Sequence, residues 1–315
     1  MTPISILIPC FNAERWIGQA IESALGQTWP HKEVIVVDDG STDGSLAVIR
    51  RFEGRIQWET VPHQGGNVAR NRLLERASGS WLQYLDADDY LLPDKIAAQV
   101  EFVADHPDVD VVFGPVTLEH WSEAGSRLEM LPIPEPHDYW VLLARWQLPQ
   151  TGAPLWKKQA IVDVGGWKVD QASCQEHELY LRLLMADKRF AYHASNGAVY
   201  RQWSEATTWK HDKAGTRARR LEIEARAETF LREHGQLTGA RSWAINQARF
   251  ETARSAWQVN HAEARAIIKT IRHSDPEFMP SEAAAPPMYR RLYRWFGFVA
   301  TETVAGWRRR LVGAS

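Results

Sequence analysis

The chain has little cysteine, almost no net charge and no long apolar run. Its 315 residues include only two cysteines, Cys10 and Cys174, which are too few and too far apart for a zinc site or a disulfide framework. A formal net charge of −2 gives no overall attraction to nucleic acid or to an anionic membrane. No apolar run approaches the roughly 20 residues that cross a bilayer, and the N-terminal stretch lacks the pattern of a secretory signal. We therefore expect a globular protein of a reducing, cytoplasmic compartment.

The first third of the chain alternates strand-like and helix-like segments. Apolar runs of strand length lie at 4–10, 33–39, 55–61, 81–86 and 109–114. Patterns of helical period separate them, most clearly at 66–77 and 93–104. Strands that alternate with helices predict βαβ units and a mostly parallel sheet. Because the runs are apolar on both faces, we expect helices to cover both sides of that sheet.

The rest of the chain has a different character. Between about 115 and 210 the pattern is irregular, with one clear helix at 175–187. Beyond 213 the chain is strongly helical, with a linker at 273–287 and a last helix at 288–311. We therefore predict three parts: 1–115, 116–212 and 213–315.

Acidic and amide side chains follow three of the predicted strands. They are Asn12 and Glu14 after the first, Asp38 and Asp39 after the second, and Asp86, Asp88 and Asp89 after the fourth. Ligands of parallel α/β sheets bind beyond the carboxyl ends of the strands, and carboxylates gathered there repel each other unless a cation or hydrogen-bond donors lie between them. Oxygen ligands suit a hard cation such as Mg²⁺ or Mn²⁺, which can also bridge a diphosphate. Neither a dinucleotide-binding fingerprint nor a P-loop motif occurs.

Three segments of the chain resemble glycosyltransferase family 2, a family of the GT-A fold class. They read SILIPCFNAERWIGQAIESALGQTWPHKEVIVVDDGSTDGS (5–45), GGNVARNRLLERASGSWLQYLDADDYLLPDK (65–95) and GGWKVDQASCQEHELYLRLL (165–184). The resemblance extends in order over about residues 3–205. It implies an inverting enzyme that moves a sugar from a nucleoside-diphosphate sugar to an acceptor hydroxyl.

The same resemblance implies a fold and a division of labour. The fold is α/β, with a GT-A-like, mostly parallel central sheet flanked by helices and a helical C-terminal extension. Residues 1–115 would form the nucleotide-sugar-binding half, 116–212 the acceptor-binding half and 213–315 the extension.

The resemblance also assigns a donor site, residue by residue. Asp39 would accept a hydrogen bond from the base, Asp86 would face the ribose and Arg70 would lie near the base and the diphosphate. The other residues of the nucleotide pocket would be Pro9, Phe11, Asn12, Glu14 and Asp38. Asp86 and Asp88 form the D-x-D motif, so the resemblance implies a Mn²⁺ or Mg²⁺ site at Asp88, with Asp89 sharing that role.

The acceptor-side motif departs from the family pattern in two places. Its tail reads Glu178-Leu179-Tyr180-Leu181-Arg182, which places Glu176 at the position of the general base and Gln175 where the family usually has Glu. Where a Tyr-Arg-x-His motif often follows, this chain ends the motif with Trp203. Because Trp cannot bind a metal, two alternatives stay open: fewer protein ligands to the metal, or a phosphate-binding role for Arg201.

Plain structural interpretations compete with some of these roles. Glu178 has the i, i+4 spacing of an ion pair with Arg182, and Asp43 is better placed to cap a helix than to bind a ligand. Two other functions also stay open. One is a non-catalytic nucleotide-sugar-binding scaffold on a retired transferase fold. The other is a sugar-1-phosphate nucleotidyltransferase, which the segment PCFNAERW disfavours because it is not a glycine-rich phosphate loop.

The last predicted helix, at 288–311, is amphipathic and basic. Its apolar positions recur at three- and four-residue steps, and it carries six arginines against the single acid Glu302, a local charge of 6 − 1 = +5. Such a helix either packs on the protein or lies in the headgroup region of an anionic membrane. The second alternative implies a protein at the inner face of the membrane and would suit a lipid-linked rather than a free saccharide acceptor. Nothing in the sequence predicts a nucleic-acid partner.

Overall fold

The computed structural model describes residues 2–122, 125–135, 137–203 and 212–312, with side chains as far as residue 307. It contains two compact units. The N-terminal unit comprises Met1–Tyr139 and Gln147–Thr216, and the C-terminal unit comprises Trp140–Trp146 and Arg217–Ser315.

The predicted segments 1–115 and 116–212 both fall in the N-terminal unit, apart from Trp140–Trp146. How the donor and acceptor roles divide between these two segments stays a prediction.

A seven-stranded sheet forms the centre of the N-terminal unit. Its strands are β1 (Ile4–Cys10), β2 (Lys32–Asp38), β3 (Gln57–Thr60), β4 (Trp81–Tyr84), β6 (Val111–Phe113), β9 (Leu155–Lys157) and β10 (Phe190–Tyr192). Their spatial order is β10-β6-β9-β4-β1-β2-β3. Every pairing is parallel except the two made by β9. The predicted mostly parallel sheet is therefore confirmed, although β4 ends at Tyr84, before the acidic residues that follow it.

A second sheet was not predicted from the sequence. It contains β5 (Tyr90–Leu91), β7 (Val116–Ser122), β8 (Gly125–Leu131) and β11 (Ala198–Gln202), in the order β5-β11-β7-β8. The strand β8 is exposed at every position except Glu129, which is half-buried. A strand without buried positions lacks the apolar alternation by which strands are recognised in a sequence.

Helices flank the central sheet. Those of the N-terminal unit are α1 (Ile17–Leu25), α2 (Ser45–Arg50), α3 (Gly66–Arg76), α4 (Lys95–Asp105), α6 (Lys158–Asp163) and α7 (Gln175–Met185). The predicted helical spacing of α1 is confirmed, because Ile17 and Ile21 are fully buried. They belong to one apolar cluster with Ile6 and Ile8 of β1 and Val36 of β2. Packing of this kind fixes the β1–α1 connection, which carries the first candidate site residues.

The C-terminal unit is helical. Its elements are α5 (Tyr139–Ala144), α8 (Lys213–Glu233), α9 (Gly239–Trp257), α10 (His261–Ser274) and α11 (Pro287–Val312). Phe250, Ile271 and Tyr293 lie in its core. Phe278 and Ala285, in the segment predicted to be a linker, lie in the same core. That segment therefore packs as part of the unit, because its few apolar residues are buried.

The helix α11 does not continue straight from end to end. Gly297 has φ 70° and ψ −177°, a backbone conformation that glycine adopts without a steric cost. Before it, Tyr289 and Tyr293 are buried. After it, Phe298 and Glu302 are buried instead. The predicted single apolar face was therefore wrong beyond Gly297, because the break changes which side of the helix faces the core.

None of the described helices is both long enough and apolar enough to span a bilayer.

Candidate active site

A cavity of about 320 Å³ opens at the carboxyl ends of β1, β2 and β4. Seven of the predicted donor-site and metal residues line it: Pro9, Phe11, Asn12, Asp39, Arg70, Asp86 and Asp88. The parallel strands bring these residues together, because their carboxyl ends meet at one edge of the sheet. Trp203 also lines the cavity.

Asp39 directly follows the last residue of β2. Its side chain is 2% exposed, and its two oxygens accept hydrogen bonds from the backbone N–H groups of Gln64 and Gly65, each at 2.8 Å. His63 Nδ1 lies 2.9 Å from Asp39 Oδ2, and its ring stacks on Phe11 at 4.0 Å between centroids. Phe11 is 45% exposed, so the cavity has a flat aromatic wall beside a buried acceptor.

Two predicted nucleotide contacts lie outside this cavity. Asp38 is 1% exposed and accepts a hydrogen bond from the Thr60 hydroxyl at 2.7 Å. Glu14 accepts a hydrogen bond from the backbone N–H of Gly44 at 2.9 Å. Glu14 therefore holds the turn between β2 and α2, and Asp38 joins the end of β2 to the end of β3.

Arg70, on α3, connects the cavity to the segment predicted to be the acceptor-side motif. Its Nη2 donates to Asp86 Oδ1 at 2.8 Å and its Nη1 to Gln175 Oε1 at 2.9 Å. Burial alone would lower the pKa of Arg70, but the negative charges of Asp86 and Glu176 outweigh it and raise the pKa above its usual value. The guanidinium also lies 4.9 Å from the ring centroid of Trp167. Arg70 is therefore a fixed positive charge in the wall of the cavity.

The acidic run after β4 divides between two environments. Asp88 lines the cavity, whereas Asp89 is 4% exposed and accepts a hydrogen bond from the backbone N–H of Arg201 at 2.9 Å. Burial, reinforced by the neighbouring carboxylates, raises the pKa of Asp88 and raises that of Asp89 well above its usual value. Asp89 instead lines a separate small cavity, beside Tyr90 and Tyr200.

Three or more His, Cys, Asp or Glu side chains do not converge on a possible metal position anywhere in the described part of the chain. A single carboxylate at the cavity wall can nevertheless suit Mg²⁺ or Mn²⁺, because these ions are commonly held by one or two carboxylates together with substrate phosphates. Asp88 supplies such a carboxylate at the cavity wall.

Arg201 is buried, and its donors are already engaged. It donates to Glu119 Oε2 at 2.9 Å, to Gln19 Oε1 at 2.8 Å and to the backbone carbonyl of Asp88 at 2.6 Å. The residue is 4% exposed and does not line the cavity. Its contacts therefore do not support the predicted phosphate-binding role.

Trp203 is a site residue that the sequence did not assign. Its indole nitrogen donates a hydrogen bond to Asp88 Oδ2 at 3.0 Å. The sequence marked this position only as a departure from a histidine motif, and the contact became visible only once β11 was placed beside the acidic run.

Glu176 begins the first turn of α7, close to Arg70. It is half-buried, and its Oε1 accepts a hydrogen bond from the Thr151 hydroxyl at 2.5 Å. Its Oε2 accepts no hydrogen bond from any residue that the structure describes. Glu178, in contrast, is 1% exposed and pairs with Arg182 at 2.8 Å. The predicted structural role of Glu178 is therefore confirmed, and Thr151 is a contact that the sequence did not suggest.

Residues 5–152 match the family model described as Glycosyl transferase family 2. This segment, the family 2 segment, makes up just under half of the chain and is similar to glycosyltransferase family 2. A putative teichuronic acid biosynthesis glycosyltransferase of Bacillus subtilis, TuaG, is 38% identical over 104 residues, covering 32% of this chain and 41% of that protein. The chain spans less than half the length of the first curated relatives it matches, between 21% and 43% of each.

Solved structures extend the likeness in fold over almost the whole chain. The crystal structure of S. aureus TarS 1–349 in complex with UDP-GlcNAc has a TM-score of 0.68 and 16% identity, covering 98% of this chain and 92% of that one. The mannosyltransferase PcManGT from Pyrobaculum calidifontis, in complex with GDP-Man and Mn²⁺, has a TM-score of 0.50 and 18% identity, covering 97% and 86%. At these identities the likeness shows a shared GT-A-like fold.

The family 2 segment contains most of the residues that line the cavity, but not the residues predicted to lie on the acceptor side. Arg70, Asp86 and Asp88 lie inside residues 5–152, whereas Glu176 and Trp203 lie beyond them. The roles of these last two residues therefore depend on their contacts with the family 2 segment.

Proposed function

We propose that this protein is an inverting glycosyltransferase that moves a sugar from a nucleoside-diphosphate sugar to an acceptor hydroxyl. The observation that carries the proposal is the convergence of Asp39, Arg70 and Asp88 in one cavity at the carboxyl edge of the sheet, with Glu176 within electrostatic reach of Arg70. The family match and the two solved structures, which are complexes with UDP-GlcNAc and with GDP-Man, support this class of donor.

In this proposal the base and ribose of the donor lie between Phe11 and Asp39. An exposed aromatic ring can stack on a base, and Asp39 Oδ1, which accepts one hydrogen bond from Gln64, has a second lone pair for a base N–H. Pro9 and Asn12 complete that end of the cavity. Asp86, fixed by Arg70, accepts a hydrogen bond from a ribose hydroxyl, and Arg70 supplies positive charge toward the diphosphate.

We assign the divalent-cation position to Asp88 together with the donor diphosphate. A Mn²⁺ or Mg²⁺ ion bound there would supply positive charge to the departing diphosphate. Asp89 was predicted to share this role, but its burial against the backbone of Arg201 favours a positioning role instead. Arg201 acts in the same way, by holding the backbone carbonyl of Asp88.

Glu176 is the proposed general base. The acceptor oxygen forms a bond to the anomeric carbon, the bond from that carbon to the diphosphate oxygen breaks, and the acceptor proton passes to the Glu176 carboxylate. Thr151 fixes one oxygen of this carboxylate, which leaves the other to receive the proton. Inversion follows because the acceptor attacks from the side opposite the leaving diphosphate.

A panel of nucleoside diphosphates and their sugars tests the donor class. Each is added to the full-length protein with Mn²⁺, with Mg²⁺ or with a chelator, and thermal unfolding is followed. A ligand that binds the folded state raises the midpoint, so we expect one base series to do so. If no nucleoside diphosphate shifts the midpoint under any condition, the proposal is wrong.

The same donors are then incubated with free saccharide and lipid-linked acceptors, and the anomeric configuration of the product is determined. Donor binding without hydrolysis or transfer on any acceptor would favour the non-catalytic scaffold. Turnover of a sugar-1-phosphate with a nucleoside triphosphate would instead identify a nucleotidyltransferase, which the family match argues against.

We also propose that the protein works at the cytoplasmic face of a membrane, with peripheral contact through residues 288–311. The support is the basic and aromatic composition of that helix and the exposure of several of its apolar side chains.

A further inference from the structure

The second half of α11 exposes the apolar residues that its sequence pattern would bury. Beyond the break at Gly297, Val299, Val304 and Trp307 are 40%, 46% and 63% exposed. Just before the break, Trp295 and Phe296 are 79% and 68% exposed. Single exposed apolar side chains are ordinary, but a group of large aromatic ones marks a contact surface.

A row of positive charges lies on the neighbouring helix of the same unit. Arg265, Lys269 and Arg272 occupy positions i, i+4 and i+7 of α10, and all are exposed. Ala264 and Ile271, on the opposite face of that helix, are fully buried. Like charges at this spacing destabilise a helix slightly. The row therefore lowers the stability of α10, and its exposed side chains lie outside the apolar core of the unit.

The row is not neutralised within the described part of the chain, where none of the three cations forms an ion pair with a carboxylate. The acid nearest the start of the row, Glu263, is paired with Arg217 at 2.9 Å. The single acid of α11, Glu302, is fully buried and accepts a hydrogen bond from Arg254 at 2.6 Å.

The three cations line one groove together with two of the exposed apolar residues, Phe296 and Val299, and the buried Phe298. Arg265, Lys269 and Arg272 form one side, and Phe296, Phe298 and Val299 form the other, around a space of about 380 Å³. The guanidinium of Arg272 reaches the break itself, since a Cβ at position 297 would lie 2.6 Å from its Nη2. The groove therefore has a cationic wall beside the apolar side chains of Phe296 and Val299.

We propose that this groove binds the phosphate headgroup of an anionic lipid, while Trp295, Phe296 and Trp307 insert into the membrane interface. Cations on flexible stems attract anionic headgroups, and tryptophan side chains favour the headgroup level of a bilayer. A soluble polyanion would match the charges but would leave the rings in water, so the combination favours a membrane. The inference deepens the proposed membrane contact and is independent of the chemistry at Asp88 and Glu176.

Co-sedimentation with vesicles tests this proposal on the full-length protein. The vesicles contain phosphatidylcholine alone, or with about one-third phosphatidylglycerol, at salt concentrations of about 50 mM and about 500 mM. One variant carries Arg265→Gln, Lys269→Gln and Arg272→Gln, and another carries Trp295→Ser and Phe296→Ser. The matched control carries Arg50→Gln, Arg51→Gln and Arg55→Gln, which remove three exposed charges from the N-terminal unit.

We expect the unaltered protein and the control to bind phosphatidylglycerol vesicles at low salt. Each lost cation weakens such binding by about fivefold, so the α10 triple variant should bind on the order of 100-fold more weakly. The aromatic variant should also bind weakly. Nucleoside-diphosphate stabilisation, measured on every variant, should be unchanged. This second measurement separates failure of the groove from misfolding and from failure of the proposed transferase function.

Three outcomes overturn the proposal. The first is equal vesicle binding by the α10 triple variant and the control. The second is equal binding to vesicles with and without phosphatidylglycerol, which would mean apolar insertion without recognition of a headgroup. The third is that soluble polyphosphate binds as tightly to the aromatic variant as to the unaltered protein, in the absence of vesicle binding, which would identify a soluble polyanion as the partner.

Discussion

The indole nitrogen of Trp203 donates a hydrogen bond to carboxylate oxygen Oδ2 of Asp88, at 3.0 Å. Trp203 packs on Trp16 at 5.7 Å between ring centroids, and the guanidinium of Arg201 lies 4.1 Å from the centroid of the same Trp16 ring. Arg201 in turn donates to the backbone carbonyl of Asp88. The side chain and the backbone of the proposed cation ligand are therefore both held by the end of β11 and the residue that follows it.

Replacing Trp203 with Phe removes the indole N–H and keeps an aromatic ring. A hydrogen bond to a charged group is worth enough to change an equilibrium by roughly tenfold. Because the indole competes for Asp88 Oδ2, we expect Trp203→Phe to lower the Mn²⁺ concentration needed for half-maximal nucleoside-diphosphate binding by about that factor. Calorimetric titration measures it, and an unchanged Mn²⁺ dependence would show that the indole does not compete with the cation.

Asp88→Asn removes the proposed ligand charge without changing the size of the side chain. We expect it to abolish metal-dependent nucleoside-diphosphate binding while the far-UV circular dichroism stays unchanged. The control is Asp94→Asn, an exposed carboxylate close by in the chain, which should bind like the unaltered protein. Unchanged affinity of Asp88→Asn in Mn²⁺ would mean that Asp88 does not hold the cation.

Glu176→Gln removes the proposed proton acceptor and keeps its shape. Turnover should fall by about 10²–10⁴-fold, the usual contribution of general base catalysis, with donor affinity nearly unchanged. Asp170→Asn, an exposed carboxylate in the preceding loop, serves as the matched control and should retain turnover. Near-normal turnover of Glu176→Gln would assign the proton transfer to another group.

Arg201→Met distinguishes a structural anchor from a phosphate-binding residue. The variant leaves the carboxylate of Glu119, whose side chain is 11% exposed, without its partner. Breaking a buried pair in this way costs about 3–5 kcal/mol, so we expect a large loss of stability in urea denaturation. A variant of normal stability with weakened donor binding would instead support the phosphate-binding role.

The buried carboxyl of Glu224 should make the stability of the C-terminal unit depend on pH. Burial raises the pKa of its carboxyl from an ordinary value of 4.5 to about 7. The folded state therefore binds a proton that the unfolded state has released, and stability is greatest below about 4.5 and falls as the pH rises toward 7.

Glu224→Gln should remove this dependence. We expect the variant to equal the unaltered protein near pH 4.5 and to exceed it by about 3 kcal/mol at pH 8. Denaturation at both pH values measures the difference. An equal difference at the two pH values would contradict the pKa assigned to Glu224.

The sequence alone determined the class of fold and predicted the edge of the sheet at which the cavity opens. Apolar runs alternating with helical patterns predicted the parallel sheet, and acidic residues placed directly after β1, β2 and β4 predicted where the ligand would bind. Both predictions depend on the same geometry, since parallel strands share one carboxyl edge. The i, i+4 pair of Glu178 and Arg182 was predictable for a similar reason, since the helical repeat determines which residues are neighbours.

Only the tertiary structure decided which of the site residues face the cavity. Asp39 and Asp88 line it, whereas their immediate neighbours Asp38 and Asp89 do not. Asp38 ends β2, where successive side chains point to opposite sides, and Asp88 lies in the turn that follows β4. The contact between Trp203 and Asp88 joins residues 115 positions apart, and a local sequence pattern cannot reveal a contact over that separation. The exposure of apolar residues on α11 could not be predicted from the sequence either. A helical repeat holds only while the helix stays regular, and the break at Gly297 ends that regularity.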